Sequence, residues 1–295
     1  MKVLALCLVV VGVAILMTCS KAVPQPPVAE VVPHELEAHG DVRVDNYYWL
    51  RERENPEVIS YLEAENTYMD TVMLETAPLQ AELFDEIKGR IRQTDSSVPA
   101  ADHGWLYYHR TEDGKEYEIH CRIKDEANAE EEILLDVNAL AEGHEFCSAG
   151  RIQVSPESDV MVYRIDTVGR RKYTLKFRDL GTGVHLLDEI SDVTGDAEWF
   201  NDGRTLVYTK QDSETLRSYQ VRRHVLGTDA AADVLMFDED DETFNVYIEK
   251  TASDRFILIE SNHTLTTEVR ILDADDPKAE PIIVEPRERG VEYHV

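Results

Sequence analysis

The chain has 295 residues, and 43% of them are apolar, a content that is ordinary for a globular protein able to bury a core. Its 59 acidic and 30 basic side chains give a formal net charge of −29. This surplus of acid disfavours nucleic acid as a partner, because phosphate would be repelled. We favour a solvated acidic surface as the explanation, and attraction of cationic peptides is the alternative.

Residues 1–19 have the layout of a secretory signal, in which a lysine precedes the apolar run Leu4–Met17. The run is shorter than the about 20 residues that a membrane span needs. Leu16–Cys19 resembles a bacterial lipoprotein signal, although Thr18 stands where Gly, Ala or Ser is usual. The sequence therefore predicts a bacterial protein that is exported to the periplasm or anchored to a membrane by a lipid on Cys19. Ordinary cleavage and an uncleaved anchor are the alternatives.

Residues 20–38 predict an exposed, proline-rich tether, because four prolines favour extended chain here. The segment His34–His39 invites comparison with the zinc-protease motif HExxH. Its two histidines are five residues apart, so a helix would place them about 140° apart rather than on one face. We therefore expect a linker without a metal site.

Residues 39–95 are expected to form a helical arm. The aromatic run Tyr47–Trp49 is expected to be packed against other residues, because three adjacent rings do not suit a solvent loop. Asn55 at the cap and Pro56 at the first position begin a helix, and Pro78 separates it from a second one. Each helix has apolar residues at helical spacing, which predict a buried face: Val58, Ile59, Leu62, Met69, Val72 and Met73, then Leu79, Leu83, Ile87 and Ile91.

Residues 96–295 predict a repeated β structure. Strand openings recur at Trp105, Ile152, Ala197 and Phe244, at intervals of 47, 45 and 47 residues. Repeats of this length, each a small antiparallel sheet that cannot bury its own faces, are typical of a β-propeller. A β-sandwich with coincidental spacing is the alternative. We predict a mainly β fold, in which the helical arm is followed by about four blades of an incomplete propeller.

Period-two alternation defines the strands best between residues 152 and 190. Four strands are predicted there: Ile152–Val154, Val160–Ile165, Tyr173–Asp179 and Val184–Leu187.

The sequence predicts no catalytic residue, metal ligand or cofactor. No G-x-S-x-G string occurs, and the nearest string, Cys147–Gly150, lacks the leading glycine. Neither a phosphate-binding glycine loop nor a zinc-like Cys/His spacing is found. Export would permit a bridge between Cys121 and Cys147, but we expect two unpaired cysteines on strands.

Several segments, in the same order, closely resemble the N-terminal half of the oligopeptidase B enzymes, in the prolyl oligopeptidase family of serine peptidases. They are His39–Glu52, Tyr61–Met69, Asp166–Gly183, Trp199–Asp212, Leu216–Asp229 and the region Glu242–Asp275. The resemblance covers about residues 32–295.

The resemblance implies a helical arm packed on a C-terminal α/β-hydrolase domain, and a seven-bladed propeller that admits short peptides to the active site and excludes folded proteins. It also implies cleavage after Arg or Lys by a Ser-Asp-His triad. The triad, the oxyanion hole and most of the acidic residues for the basic side chain belong to the C-terminal domain, so Asp238–Glu242 takes no such role. We expect four of the seven blades here and no activity from the chain alone.

A truncated gene model and a split gene are both open explanations of the missing hydrolase domain. The alternative function is a stand-alone exported propeller module that binds a peptide or protein partner. The unpaired strand edge of an open propeller argues against that alternative.

Overall fold

The structure is a computed structural model that describes residues 24–295. The predicted signal and Cys19 lie outside the described residues. The chain divides into two compact units, of which the first ends at Arg92 and the second spans Gln93–Val295. Within residues 24–295, no helix is long and apolar enough to cross a membrane.

The first unit begins with an antiparallel hairpin. β1 (His34–Ala38) pairs with β2 (Asp41–Asp45), and Gly40 takes a φ of 79° in the turn between them. The expectation of a linker at His34–His39 is therefore wrong. Every residue of β1 is exposed, so the strand has no buried face that would appear in the sequence as apolar alternation.

A short 3₁₀ turn at Tyr48–Arg51 follows the hairpin. Tyr48 stacks on His34 with ring centroids 4.1 Å apart, and Trp49 Nε1 donates to the carbonyl of Glu30 at 3.0 Å. The prediction of packed aromatic rings is confirmed for these two residues. It is wrong for Tyr47, which is 47% exposed.

Helix α1 (Pro56–Met73) begins as predicted. The side chain of Asn55 accepts a hydrogen bond from the backbone N–H of Glu57 at 2.9 Å, which satisfies one of the free donors of the first turn. A 3₁₀ turn at Leu74–Thr76 leads into α2 (Ala77–Arg90).

The buried face predicted for the two helices is found only at Val58, which is 3% exposed. The other residues of the predicted stripe are each at least 42% exposed: Ile59, Leu62, Met69, Val72, Met73, Leu79, Leu83, Ile87 and Ile91. These residues, called here the exposed apolar stripe, have helical spacing but no cover within this unit.

The second unit consists of four successive antiparallel meanders. The first contains β3 (Asp95–Ser96), β4 (Ala100–Asp102), β5 (Trp105–Thr111), β6 (Ile119–Lys124) and β7 (Glu132–Asp136), and α3 (Val137–Ala141) follows. The second contains β8 (Ser148–Val154), β9 (Val160–Asp166), β10 (Tyr173–Asp179) and the beginning of β11 (His185–Trp199). The third contains the end of β11, β12 (Thr205–Gln211), β13 (Ser218–Val225) and β14 (Val234–Asp238). The fourth contains β15 (Asn245–Lys250), β16 (Phe256–His263), β17 (Thr266–Asp273) and β18 (Ile282–Glu285).

The predicted mainly β fold is confirmed, and the four predicted strands between residues 152 and 190 are all found, although β8 begins four residues earlier than expected. The expectation of one separate sheet for each repeat is wrong at the middle of the unit. β11 pairs with β10 over its first part and with β12 over its last part, so the second and third meanders form one seven-stranded sheet.

The apolar core lies between successive meanders, in three clusters. β9 shows how period-two alternation builds two of them. Met161 and Tyr163 pack toward the first meander, whereas Val160 and Val162 pack on the other face among residues of β10, β11 and β12. The third cluster joins residues such as Val207 of the third meander to residues such as Ile257 of the fourth. Each meander therefore buries at least one face against a neighbour, as stacked blades do.

Candidate functional site

No set of catalytic side chains comes together around the one serine that the sequence singled out. Ser148 is the first residue of β8 and pairs in register with Asp166 of β9. Within residues 24–295, no hydrogen bond joins the Ser148 side chain to a histidine, and no group of three or more His, Cys, Asp or Glu residues could hold a metal ion. The predicted lipid-attachment residue, Cys19, lies outside the described residues.

The two cysteines of the second unit are free and buried, which confirms the prediction that they are unpaired. Cys121 lies on β6 as predicted, whereas Cys147 directly precedes β8 and is not part of a strand.

The polar site that the fold does assemble is a cavity of about 70 Å³ at one end of the first strands of the meanders, called here the turn cavity. All four meanders contribute to it: Asp102, His103, Tyr107, Gln153, Val154, Ser155, Pro156, Ser158, Glu198, Trp199, Lys250 and Asp254. Positive φ values at His103, Ser158 and Asp254 mark the turns that end there. The corresponding turn of the third meander has Gly203, with a φ of 63°.

Polar contacts connect these turns across the cavity. His103 Nδ1 lies 2.8 Å from Asp102 Oδ1, and its Nε2 lies 3.2 Å from Asp254 Oδ2, so the first and fourth meanders are in contact here. Lys250 Nζ lies 2.6 Å from Asn201 Oδ1 and 3.8 Å from Asp254 Oδ1. The Asn201 side chain in turn donates to the carbonyl of Asp254 at 2.9 Å.

Glu198 gives the cavity its most unusual electrostatic property. Burial raises the pKa of its carboxyl to about 7, the neighbouring carboxylates Asp196 and Glu249 add to this effect, and Lys250 opposes it. The nearest hydrogen-bond donor is Gln153 Nε2, at 3.4 Å from Oε1. Near neutral pH this carboxyl would be stabilised in its charged form by a cation that entered the cavity.

The first strands of the second and third meanders carry this polar wall in matched pairs. Arg151 of β8 bonds to Asp196 of β11, and Gln153 bonds to Glu198, so each partner lies 45 residues further along the chain. The interval of 45 residues is visible in the sequence, but it does not by itself assign roles to these residues. A comparison of equivalent positions in successive repeats would have brought the four side chains together.

The acidic residues in general were expected to form a solvated surface. Within the acidic run Asp238–Glu242, this expectation is wrong for one residue. Glu239 is 4% exposed and forms an ion pair with Arg287 at 2.5 Å, and Ser261 donates to its carboxylate. Burial alone would raise the pKa of Glu239, but the hydrogen bonds from Arg287 and Ser261 outweigh it and hold that pKa below its usual value. Arg287 also reaches Glu268 at 3.1 Å, so the group connects the end of the third meander to the fourth.

Comparison with known proteins identifies the fold around this cavity. The family model of the prolyl oligopeptidase N-terminal β-propeller domain matches residues 26–295. The chain is 42% identical over 286 residues to dipeptidyl aminopeptidase BI of Pseudoxanthomonas mexicana, which covers 91% of this chain and 39% of the relative. It is 35% identical over 276 residues to Protease 2 of Moraxella lacunata, with 91% and 40% covered.

Solved structures agree. Oligopeptidase B from Leishmania major superposes with a TM-score of 0.83 at 32% identity, over 92% of this chain and 41% of that one. Oligopeptidase B from Trypanosoma brucei, in a closed form with covalently bound antipain, superposes with a TM-score of 0.81 at 29% identity, over 90% of this chain and 40% of that one. The chain thus spans about two fifths of the length of these relatives. It belongs to the prolyl oligopeptidase family and matches the N-terminal β-propeller domain of that family.

Proposed function

We propose that this chain is the substrate-gating part of an oligopeptidase B-like serine endopeptidase, active only when joined to a catalytic hydrolase domain. The observation that carries the proposal is the similarity over 92% of the chain to a solved oligopeptidase B. The hydrolase domain would supply the nucleophile, base and oxyanion hole, and this chain would decide which peptides reach them.

The way in which the meanders are joined supports a gating role. Each apolar cluster fixes one meander against the next, and the contact between His103 and Asp254 ties the first to the fourth. A rigid wall of this kind in front of an active site would leave room for an extended peptide but not for a folded protein. It would also limit the access of water to the reaction.

Preference for Arg and Lys side chains is proposed on electrostatic grounds. The net charge of −29 would attract cationic peptides, and such long-range attraction weakens with salt. In the turn cavity, a guanidinium or ammonium group would stabilise the charged form of Glu198, whose carboxyl is costly to ionise without a cation.

The proposal is tested by joining this chain to the part of Moraxella lacunata Protease 2 that follows the matched region. The chimera should hydrolyse chromogenic peptides that end in Arg or Lys faster than matched peptides that end in an uncharged residue. Because one relative is named a dipeptidyl aminopeptidase, each peptide is compared with its N-acetylated form, which only an endopeptidase would cleave. Equal rates on charged and uncharged peptides would contradict the specificity.

The chain alone is expected to show no turnover of the same peptides, because it encodes no nucleophile with a base. Its matched control is Ser148→Ala, which removes the serine of the string nearest to a nucleophile motif. Turnover that the Ser148→Ala change abolishes would overturn this expectation.

The proposed location is outside the bacterial cytoplasm, in the periplasm or on a membrane through a lipid on Cys19. The apolar run Leu4–Met17 and the string that ends at Cys19 support it. There the enzyme would meet peptides rather than folded cytosolic proteins.

A further inference from the structure

Arg223 stands apart from the other arginines among residues 24–295. Each of the other buried or partly buried arginines among these residues forms a hydrogen bond or ion pair through its guanidinium: Arg110, Arg122, Arg164, Arg178, Arg217, Arg222, Arg270 and Arg287. The Arg223 guanidinium forms none, and its Nη1 atom is shut off from solvent without a partner. A half-buried cation without an anion is costly, and it is unexpected in a protein with 59 acidic residues.

The side chain of Arg223 lines a partly open cavity of about 440 Å³ between the third and fourth meanders. On β13 it follows Val221, which is two residues earlier and therefore on the same face, in the apolar cluster between these meanders. The fourth meander contributes Pro277 and Lys278 from the connection between β17 and β18. No hydrogen bond or ion pair of the Lys278 side chain occurs within the described chain, so two cations without partners border one cavity.

The carboxylates nearest to this cavity are already engaged. Asp233 bonds through Oδ1 to His224 and through Oδ2 to the hydroxyl of Tyr208, each at 2.8 Å. Asp202 accepts from the backbone and hydroxyl of Thr205, at 2.8 Å and 2.7 Å. Neither carboxylate is within 4.0 Å of the Arg223 guanidinium, so neither forms an ion pair with it.

The rest of the wall is apolar and accessible. Val225 is 43% exposed and Val234 is 46% exposed, and both line the cavity with Pro277. A bare phosphate ion would satisfy the two cations but leave this apolar wall in water. A carboxylate that carries an apolar group would satisfy both, because a guanidinium binds a carboxylate through two parallel hydrogen bonds.

We propose that the cavity at Arg223 binds a small organic carboxylate with an adjacent apolar group, with the Arg223 guanidinium as the main ligand and Lys278 as the second cation. The free C-terminus of a short peptide that ends in an apolar residue has this chemistry, and so does a free organic acid. The site is separate from the turn cavity, with which it shares no lining residue.

The test is calorimetric titration of the chain with N-acetyl-leucine, with the dipeptide Ala-Leu and with inorganic phosphate. N-acetyl-leucine amide is the matched ligand without a carboxylate. We expect saturable binding of both carboxylates, weaker binding of phosphate and none of the amide. A titration with 4-methylpentanoate, which has the same apolar group and carboxylate but no amide, distinguishes the sources: tighter binding of N-acetyl-leucine and Ala-Leu indicates a peptide C-terminus, and equal or tighter binding of 4-methylpentanoate indicates a free organic acid. Binding of the amide equal to that of the acid, or no saturable binding of either carboxylate, would overturn the proposal.

Variants locate the site. Arg223→Gln is expected to weaken N-acetyl-leucine binding about tenfold or more, because it removes a charge-assisted pair, and Lys278→Gln is expected to weaken it less. Arg170→Gln, an exposed arginine without a side-chain partner in the turn before β10, is the matched control and should bind like the parent chain. Without ligand, Arg223→Gln should melt at the same temperature as the parent or higher, because it removes an unpaired charge. If Arg223→Gln bound N-acetyl-leucine as tightly as the parent chain does, Arg223 would not be the main ligand. A lower melting temperature of this variant without ligand would show that Arg223 stabilises the fold instead.

Discussion

His224 is a fully buried histidine held between two carboxylates. Its Nδ1 lies 2.8 Å from Asp233 Oδ1, and its Nε2 lies 3.1 Å from Asp188 Oδ1. Burial alone would lower the pKa of the imidazole, but the hydrogen bonds and charges of Asp233 and Asp188 outweigh it and raise that pKa above 6.5. The hydroxyl of Tyr208 donates to the other carboxylate oxygen of Asp233, and the guanidinium of Arg222 donates to the Asp233 backbone carbonyl, which fixes the position of this residue.

This geometry predicts a pH-dependent contribution to stability. A histidine whose pKa is raised in the folded state stabilises it fully below the unfolded pKa of about 6.5, and the contribution is lost as the pH rises through the folded pKa. His224→Gln should therefore lower the free energy of unfolding by about 3 kcal/mol at pH 6 and by less at pH 9. Urea unfolding at both pH values measures it, with His144→Gln, an exposed histidine, as the control. A deficit that is the same at pH 6 and pH 9 would contradict the protonated state.

Single residues of this kind were beyond prediction from sequence. Asp188 precedes His224 by 36 residues and Asp233 follows it by nine, and no local motif distinguishes His224 from the other nine histidines. The same holds for Glu198, whose pKa of about 7 depends on burial and on charges from three strands. Such properties exist only after the strands have been brought into register.

At the scale of elements, β11 decides how the second meander passes into the third. Its pairing shifts register between Val193 and Ala197, and Gly195 takes a φ of 89° within that bulge. An added Cβ at Gly195 would come within 2.1 Å of Arg164 Cδ and 2.9 Å of Arg164 Cβ. The strand can change partners here because this residue has no side chain.

Gly195→Ala is expected to lower the free energy of unfolding by about 2–4 kcal/mol, because it adds both backbone strain and a clash with a side-chain atom next to the backbone. Gly227→Ala is the matched control, since Gly227 has a φ of 83° and open space around its Cα, and it should cost about 1–2 kcal/mol from strain alone. Chemical denaturation compares the two variants. Equal losses would show that the contact with Arg164 does not limit this position.

The elements show what sequence patterns can and cannot predict. The cap at Asn55 and the strand Tyr173–Asp179 were predicted because local chemistry and burial act in the same direction there. The continuity of β11 was missed because Ser191–Asp196 has the composition of a turn, and only pairing on both sides keeps it extended. The exposed hairpin His34–Asp45 was missed because it has no buried face. The apolar stripe of the helices was predicted from its helical spacing. Its exposure could not be predicted, because the spacing does not show whether another part of the protein covers the stripe.

At the scale of the whole molecule, the predicted export signal leads to a testable prediction about the location of the protein. In a bacterial host, a fatty-acid analogue should label the parent chain and not a Cys19→Ala variant, because a lipoprotein signal that ends at Cys19 places the lipid on that sulfur. Gel fluorescence after metabolic labelling measures this. Label on both proteins, or on neither, would count against lipidation and favour ordinary cleavage or an uncleaved anchor.

The exposed apolar stripe of α1 and α2 is energetically costly to leave in water. Burying a large apolar side chain contributes about 1.5–3 kcal/mol, so leaving several of them in water forgoes on the order of 10 kcal/mol, which is comparable with the stability of a whole domain. Such a surface is the mark of an interaction site. The proposed function assigns its cover to the hydrolase domain.

Hydrogen exchange tests that assignment in the chain alone and in the chain joined to the C-terminal part of Moraxella lacunata Protease 2. We expect the backbone amides of residues 55–91 to exchange much more slowly in the longer protein, because closing the stripe raises the free energy of opening these helices. The strand Val160–Asp166, whose two faces are already covered, is the internal control and should be equally protected in both proteins. Equal protection of residues 55–91 in the two proteins would mean that the helices need no hydrolase domain, and the stand-alone binding module would then be the better account of this chain.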